Sequence, residues 1–535
     1  MNHQKSPQKQ TSNLYFKATL MTEQPPFLCL DPSDNIVVAR RFAREGDLFH
    51  SHEAQIAASE RIDMGHKMAI QEIAQGEAIR KFGQPIGFAT KPIQPGQWVH
   101  THNVGLGELG HSYEFCTAIN EVPKPNAERT FQGYRRADGR AATRNYLGII
   151  STVNCSATSS KYIANAFDES ILADYPNIDG VVALSHQGGC AYEYGGTDHR
   201  LLARTLAGFA EHANIAAYLI VGLGCETAQA SFLAEEHNLV QLNVSSEVAK
   251  KPLIMNIQDQ GGVAKTVRRG VEALKELLPD ANNVQRVPIP VSEIILGTEC
   301  GGSDGNSGVT ANPALGITSD LLVGHGGTSI LAEVPEIYGG EHLLTRRAIT
   351  KDVADKLLER IKWWEDYAKL FGAKIDNNPS VGNKKGGLTT IFEKSLGAIA
   401  KGGSSPLRAV YEFAEKVQEK GFVVMDTPGY DPPSVTGMIA GGANMVVFTT
   451  GRGSCFGCKP VPTIKVATNT PMYNRMIDDM DINAGTILDG DATVESVGET
   501  IFEKIISVAS GEQTKSEAQN IGDEEFCPWT PGPIF

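Results

Sequence analysis

No stretch of this 535-residue sequence approaches the roughly 18 to 20 consecutive apolar residues that cross a bilayer, so no transmembrane helix is expected. Positive charge is in short supply as well. The 48 Lys and Arg face 62 Asp and Glu, and the formal net charge of −14 gives no general attraction for nucleic acid or an anionic membrane. An acidic ligand would need specific lysines and arginines to overcome that background. Cysteine is sparse: nine residues, an odd number, stand mostly at the ends of apolar runs and not in the dense framework of a small secreted domain. That usage points to free thiols in a reducing compartment, the cytoplasm. Short-period repeats and long low-complexity tracts are missing too. What is present is ordinary for a soluble globular protein, 41% hydrophobic and 21% charged, in a chain too long for a single core. Two or three domains are expected.

Residues 1–24 are polar, lack an apolar signal core and contain a second methionine, Met21; they read as a disordered leader. Residues 25–105 carry short β-type runs punctuated by turns such as Gly83-Gln84-Pro85 and Gln94-Pro95-Gly96, the pattern of a small β-rich domain. Residues 106–129 lose periodicity and collect Gly, Pro and charge, as a linker does. From 130 the character changes to apolar runs such as YLGIISTV, GVVALSH and AAYLIVGLG, separated by helix-length segments. That alternation indicates parallel βαβ units and an α/β class. The Pro-rich Val287-Pro288-Ile289-Pro290 divides a middle α/β domain, 130–287, from a C-terminal one, 288–535.

Open parallel sheets bind ligands at the carboxyl ends of their strands. Four successive apolar runs end near a cysteine: Cys155, Cys190 (with His186 closing its run), Cys225 and Cys300. Converging thiolates and imidazole suit a borderline metal such as iron, as a single ion or as an iron–sulfur cluster. The Gly-rich loop from Glu299 to Pro313, with Asp304 and Asn312, offers N–H groups to an anion and side-chain oxygens to a sugar, and its glycine spacing fits no nucleotide loop. A second Gly-rich loop holds Arg452, Cys455 and Cys458, but the prolines that follow it cannot open a helix, which argues against a dinucleotide site. Lys384 and Lys385 sit in a glycine-framed loop where they would clamp a carboxylate. In the β-rich domain His100 and His102 alternate as strand neighbours on one face, with His66 as a third imidazole suited to proton transfer.

The stretches GHKMAI, KFGQPIG, WVHTHNV, GYRRADGRAATRNYLGI, GLGCE, ECGGSDGNSGVTANP, NPSVGNKKGG, FTTGRG and MDINAGTI resemble the altronate dehydratase and galactarate dehydratase family. The resemblance implies a β-clip (SAF) domain, a linker, a middle domain used in dimerisation and a C-terminal Rossmann-like domain. It also implies dehydration of a sugar acid to a 2-keto-3-deoxy acid. The expected metal is iron as Fe2+, with an iron–sulfur cluster or Mn2+ as alternatives. WVHTHNV, and the pairing of ECGGSDG with AEVPEIYG, favour altronate over galactarate. On this reading Cys155, His186, Cys190, Cys225 and Cys300 hold the metal; His100, Asn312, Lys384, Lys385 and Arg452 hold the substrate; and His66 or His102 moves protons, with Glu333 and Asp304 as further candidates for base or ligand. A lyase that expels sulfite instead of water, and a non-catalytic sugar-acid sensor, are the competing readings.

Overall fold

The computed structural model describes residues 24–51, 55–107, 110, 113–237, 239 and 252–532. The expected leader, apart from its last residue, lies outside them. Residues 27–105 form short, mostly antiparallel strands in a four-stranded sheet, a three-stranded sheet and a hairpin. Their alternation buries Ile36, Val38, Ile79, Ile86 and Val99 in one small core. Residues 113–129 carry neither helix nor strand and lie along the C-terminal region, where the N–H groups of Cys116 and Ala118 donate to the carbonyls of Thr345 and Arg346.

The middle region is a four-stranded parallel sheet of β1 (Tyr146–Ser151), β2 (Gly180–Leu184), β3 (Ile215–Gly222) and β4 (Leu253–Asn256), in the order β2-β1-β3-β4. Strands β1 and β3 are buried throughout, which explains their unbroken apolar sequence. Helix α1 (Asn154–Ala164) follows β1, and α2 (Thr197–Ala210) follows β2. The Pro-rich boundary segment is itself a strand. Val287–Pro290 pairs antiparallel with Thr130–Arg135 at the edge of a three-stranded sheet, a place where proline's missing N–H is tolerated.

The C-terminal region is built on a seven-stranded, wholly parallel sheet. Its strands are β5 (Ile295–Cys300), β6 (Thr328–Leu331), β7 (Leu407–Tyr411), β8 (Gly421–Met425), β9 (Met445–Thr450), β10 (Thr463–Ala467) and β11 (Ile482–Asn483). They run in the order β7-β8-β6-β5-β9-β10-β11, so β5 is central and its carboxyl end opens where connections leave in both directions. One apolar core runs from β1 and α2 of the middle region into β6, β8 and β9, so these two sheets pack as a unit.

Polar bonds fix that junction. His212 Nδ1 accepts the Asn214 N–H at 3.0 Å, so its proton lies on Nε2, which donates to Ala443 O at 2.9 Å. His186 is held the same way, accepting from the Gly188 N–H and donating to Ser151 O. Burial pushes both imidazoles down to about 4. An unfolded histidine takes up its proton near pH 6.5, so the unfolded chain binds more protons between that pH and about 4. Stability is therefore complete above pH 6.5 and lost on acidification through this window, by about 3 kcal/mol per histidine at pH 4. His212→Gln should remove roughly that much of the acid sensitivity in denaturant titrations at pH 4 and pH 7.

Candidate active site

The site is built where the β-rich domain meets the carboxyl ends of the seven-stranded sheet. The turn at Gly65-His66 inserts between the loop after β5 and the segment after α3 (Val381–Lys385). A Cβ on Gly305 or Gly387 would stand 2.0 or 2.4 Å from Gly65 O, so only glycine lets these backbones approach. Below the turn, Glu393 on α4 (Ile391–Ile399) receives Lys67 at 2.8 and 2.9 Å and Lys81 at 2.9 Å. All three side chains are essentially inaccessible. Lys67 also donates to Gly387 O at 2.6 Å and Lys81 to Gly305 O at 3.2 Å. Burial alone would raise the Glu393 carboxyl, but the two ammonium groups hold it well below the usual carboxylate range.

Around this triad lie most of the substrate residues read from the sequence. Lys384 and Lys385 do not sit in a loop: they form the last turn of α3, which is capped by Ser380 and Asn383 in a reciprocal capping box. Lys385 is exposed and Lys384 half-buried. Arg452 is exposed after β9, and Gly386 is close to both Asp304 and Arg452. Asp304 is buried and accepts from Thr468 Oγ1, Ser307 Oγ, Asn469 Nδ2 and the Asn306 N–H, so it ties its own loop to the segment after β10. Asn312 is likewise spent on structure, donating to Gly397 O and accepting from Thr449 Oγ1.

The histidines depart from the expected strand pair. The strand ends at Val99, and the N–H groups of Asn103 and Val104 close a turn onto His100 O. Trp98 gathers the imidazoles instead. His100 stacks on its ring at 5.0 Å, His102 tilts against it at 5.1 Å, and its Nε1–H donates to His66 Nδ1 at 3.1 Å. Indole only donates, so the His66 proton lies on Nε2, facing Lys385 O at 3.2 Å. Both His66 nitrogens are thus engaged, while His102 is exposed. Burial, with Lys67 nearby, lowers His66 and pushes His100 down to about 3.

A second cluster lies at the ends of β5 and β6. Lys401 Nζ meets Cys300 Sγ at 2.9 Å and pairs with Glu333, while Lys394 pairs with Glu336 at 2.6 Å. Glu299 and Asp431 complete the group: Glu299, Glu333 and Asp431 bring carboxylate oxygens within 4.8 Å of one another, as Cys300, Glu333 and Glu336 do with their own ligand atoms. Glu333 takes a left-handed conformation at φ 62°, held by Thr427 Oγ1 on its N–H and the Cys300 N–H on its carboxylate. Four carboxylates thus meet two ammonium groups. Burial and the neighbouring carboxylates Glu333 and Asp431 drive Glu299 well above its ordinary range, and burial with Glu336 pushes Asp431 up to about 6. Glu299 Oε1 is buried and has no hydrogen-bond partner among the described residues.

The five metal ligands expected from sequence do not meet in one place. Cys300 ends β5, whereas Cys155, Cys190 and Cys225 follow β1, β2 and β3 of the other sheet, and both His186 nitrogens are already bonded. Cys458 is buried and Cys455 exposed, both as free thiols. Sequence reading passed over Lys67, Lys81, Glu393, Glu299, Glu336, Lys394, Lys401 and Asp431. The signal was there in IFEKSLGAIAKG, where charges interrupt an otherwise apolar helix.

Three family models match in tandem: the altronate/galactarate dehydratase SAF domain over residues 25–106, the second domain of D-galactarate dehydratase/altronate hydrolase over 133–282, and the D-galactarate/altronate dehydratase C-terminal domain over 291–534. An altronate dehydratase of Bacillus subtilis is 36% identical over 494 residues, 92% of this chain and 96% of its own. A galactarate dehydratase (L-threo-forming) of Escherichia coli is 38% identical over 89% of this chain and 91% of its own, and an altronate dehydratase of the same organism 35% identical over 90% and 95%.

Removing one partner from a buried ion group costs about 3–5 kcal/mol. Lys67→Met should lower the denaturation midpoint accordingly and make residues 113–129 more susceptible to limited proteolysis as the β-rich domain loosens. Glu393→Gln, which strands two ammonium groups, should do so at least as strongly.

Proposed function

The chain belongs to the altronate/galactarate dehydratase family and is a sugar-acid dehydratase, a hydro-lyase; from that premise we propose that it dehydrates a hexonate, altronate, to 2-keto-3-deoxygluconate at the seam between the SAF domain and the seven-stranded sheet. The observation that carries this reading is the triad of Lys67, Lys81 and Glu393, which docks the domain of the Trp98 histidine cluster so that His66 Nε2 meets Lys385 O, with Arg452 close to the adjoining Gly386. Three cations on exposed or half-exposed positions answer the need set by an acidic chain: they bind a carboxylate locally where the net charge of −14 would repel it. Galactarate, a hexarate, is the alternative substrate, and a second carboxylate would call on the same cations.

Dehydration of a 2,3-dihydroxy acid removes the proton next to a carboxylate and expels hydroxide, so one group must take a proton and another must give one. His102 is the histidine of the cluster left free to exchange a proton at its exposed ring. His66 positions instead, because its Nε2–H holds the Lys385 carbonyl and its Nδ1 is occupied by Trp98. His100, neutral at physiological pH, supports the Trp98 ring by stacking on it.

The family resemblance implies iron, and the cluster of Glu299, Glu333, Glu336, Asp431 and Cys300 fits a divalent ion. It has two carboxylates in excess of its lysines, an orphaned Glu299 oxygen and a donor set of carboxylates with one thiol. Bound there, Fe2+ or Mn2+ supplies Lewis acidity beside the substrate seam. The same reading takes the C-terminal region as Rossmann-like, the assembly as a homodimer and the location as the cytoplasm.

A panel of hexonates and hexarates under anaerobic, iron-replete conditions, read by 2-keto-3-deoxy acid formation, tests the substrate. Turnover of altronate supports the proposal; turnover of galactarate alone, sulfite release from a sulfonated hydroxy acid, or binding without turnover each overturns it. Lys385→Ala and Arg452→Ala should raise KM by roughly 10–100-fold with a smaller effect on kcat. His102→Ala should lower kcat by about 10²–10⁴. Glu299→Gln should reduce bound iron in metal analysis of the folded protein.

A further inference from the structure

The dehydratase reading makes no use of Cys155, Cys190 and Cys225, yet all three are exposed free thiols at the carboxyl end of one parallel sheet. Free cysteine is among the residues most often buried, so three exposed together call for a reason. They follow the adjacent strands β2, β1 and β3, and their loops are laced to one another by backbone bonds. The Asn154 N–H donates to Gly188 O at 3.0 Å, and the Ala228 N–H donates to Gly189 O at 3.1 Å. Side chains repeat the connection: Asn154 Nδ2 donates to Gln187 Oε1 at 2.9 Å, and Thr152 Oγ1 to Glu226 Oε1 at 2.7 Å. The loop with Cys190 therefore touches both of the others.

Its approach is as close as the backbone allows. Gly189 has φ 98°, and a Cβ there would stand 2.2 Å from Thr152 O. His186 pins the start of that loop to the end of β1 through Ser151 O. The buried Glu226 carboxylate accepts the N–H groups of Leu223 and Gly224, which fixes the loop of Cys225, and Gln258 Nε2 donates to Cys225 Sγ at 3.3 Å. Cys155 is the second residue of an eleven-residue helix with no acid in its first turn, and the helix's first N–H, that of Asn154, is the one held by the Cys190 loop at Gly188 O.

These thiols are not among the groups of three ligand atoms within 4.8 Å of one another that the described residues contain, whereas one ion with metal–sulfur bonds of about 2.3 Å would draw its ligands to about 4 Å. A polynuclear centre spaces its thiolates more widely. We propose that Cys155, Cys190 and Cys225 ligate a [4Fe–4S] cluster at the mouth of the middle sheet. Three thiolates serve three irons and leave the fourth open to an oxygen ligand. The lacing of the loops, not an active-site role, is the basis for this centre, so it stands apart from the ion at Glu299 and does not depend on the substrate reading.

The test is anaerobic reconstitution of the full chain with ferrous and ferric iron in equal amounts and sulfide, which supplies the mixed valence of the cluster, followed by iron and acid-labile sulfide analysis, visible absorption and electron paramagnetic resonance after dithionite reduction. The expected result is about four irons and four sulfides per chain, with broad visible absorption that bleaches on reduction. Cys155→Ser, Cys190→Ser and Cys225→Ser should each lose most of that absorption while keeping wild-type circular dichroism, and Cys29→Ser and Cys455→Ser should keep it. Iron uptake without labile sulfide, zinc or a single ferrous ion bound at these thiols, or absorption unchanged in the three variants overturns the proposal. A chain that takes up the cluster but turns over no sugar acid overturns the functional reading alone.

Discussion

Everything at the substrate seam depends on one buried carboxylate carrying two buried ammonium groups. Glu393 sits on a helix of the C-terminal region and both lysines come from the SAF domain, so the attraction is also the attachment of one domain to the other. Burying three charges is costly, and the arrangement holds because each is also hydrogen-bonded: the lysines to Gly387 O and Gly305 O, the carboxylate to Thr389. Those carbonyls lie just past α3, which ends in Lys385, and in the loop that carries Asp304. The contact that docks the domain therefore also sets the position of the cations proposed to bind the substrate.

The seam and the carboxylate cluster behind it divide the chemistry by charge. Exposed Lys385 and Arg452 provide an attractive surface for an acid, whereas Glu299, Glu333, Glu336 and Asp431 gather more negative charge than Lys394 and Lys401 can neutralise. An excess of buried carboxylates is resolved by protons or by a cation. The left-handed backbone at Glu333 and the partnerless oxygen of Glu299 mark this as a place where stability has been given up for arrangement. The three thiols of the middle sheet are a separate concentration of metal-binding chemistry, built on the same rule that parallel strands present their carboxyl ends to ligands.

The histidines show how packing assigns roles that composition leaves equal. His66, His100 and His102 share one tryptophan, but only His102 keeps an exposed ring. His66 is committed by the direction of a single indole N–H, which fixes its tautomer and turns a candidate base into a support for the lysine helix.

Sequence alone determined the elements and the family. Unbroken apolar runs such as YLGIISTV and AAYLIVGLG specify strands buried on both faces, because such a strand has no side to offer water, and the long glycine-rich motifs carry the resemblance. It also singled out Lys384, Lys385 and Arg452 as candidate substrate cations, since cations framed by glycine are conspicuous in an acidic chain. What only the tertiary structure decided is which residues meet. Cys300 was grouped with the other cysteines by its place after a strand, but its sheet is a different one, and its neighbours are glutamates and a lysine from far along the chain. Lys67 and Lys81 lie 326 and 312 residues before Glu393 in the chain. Pairing at that range is set by how domains dock, and a buried lysine reads in sequence like any solvated one until its partner is in place.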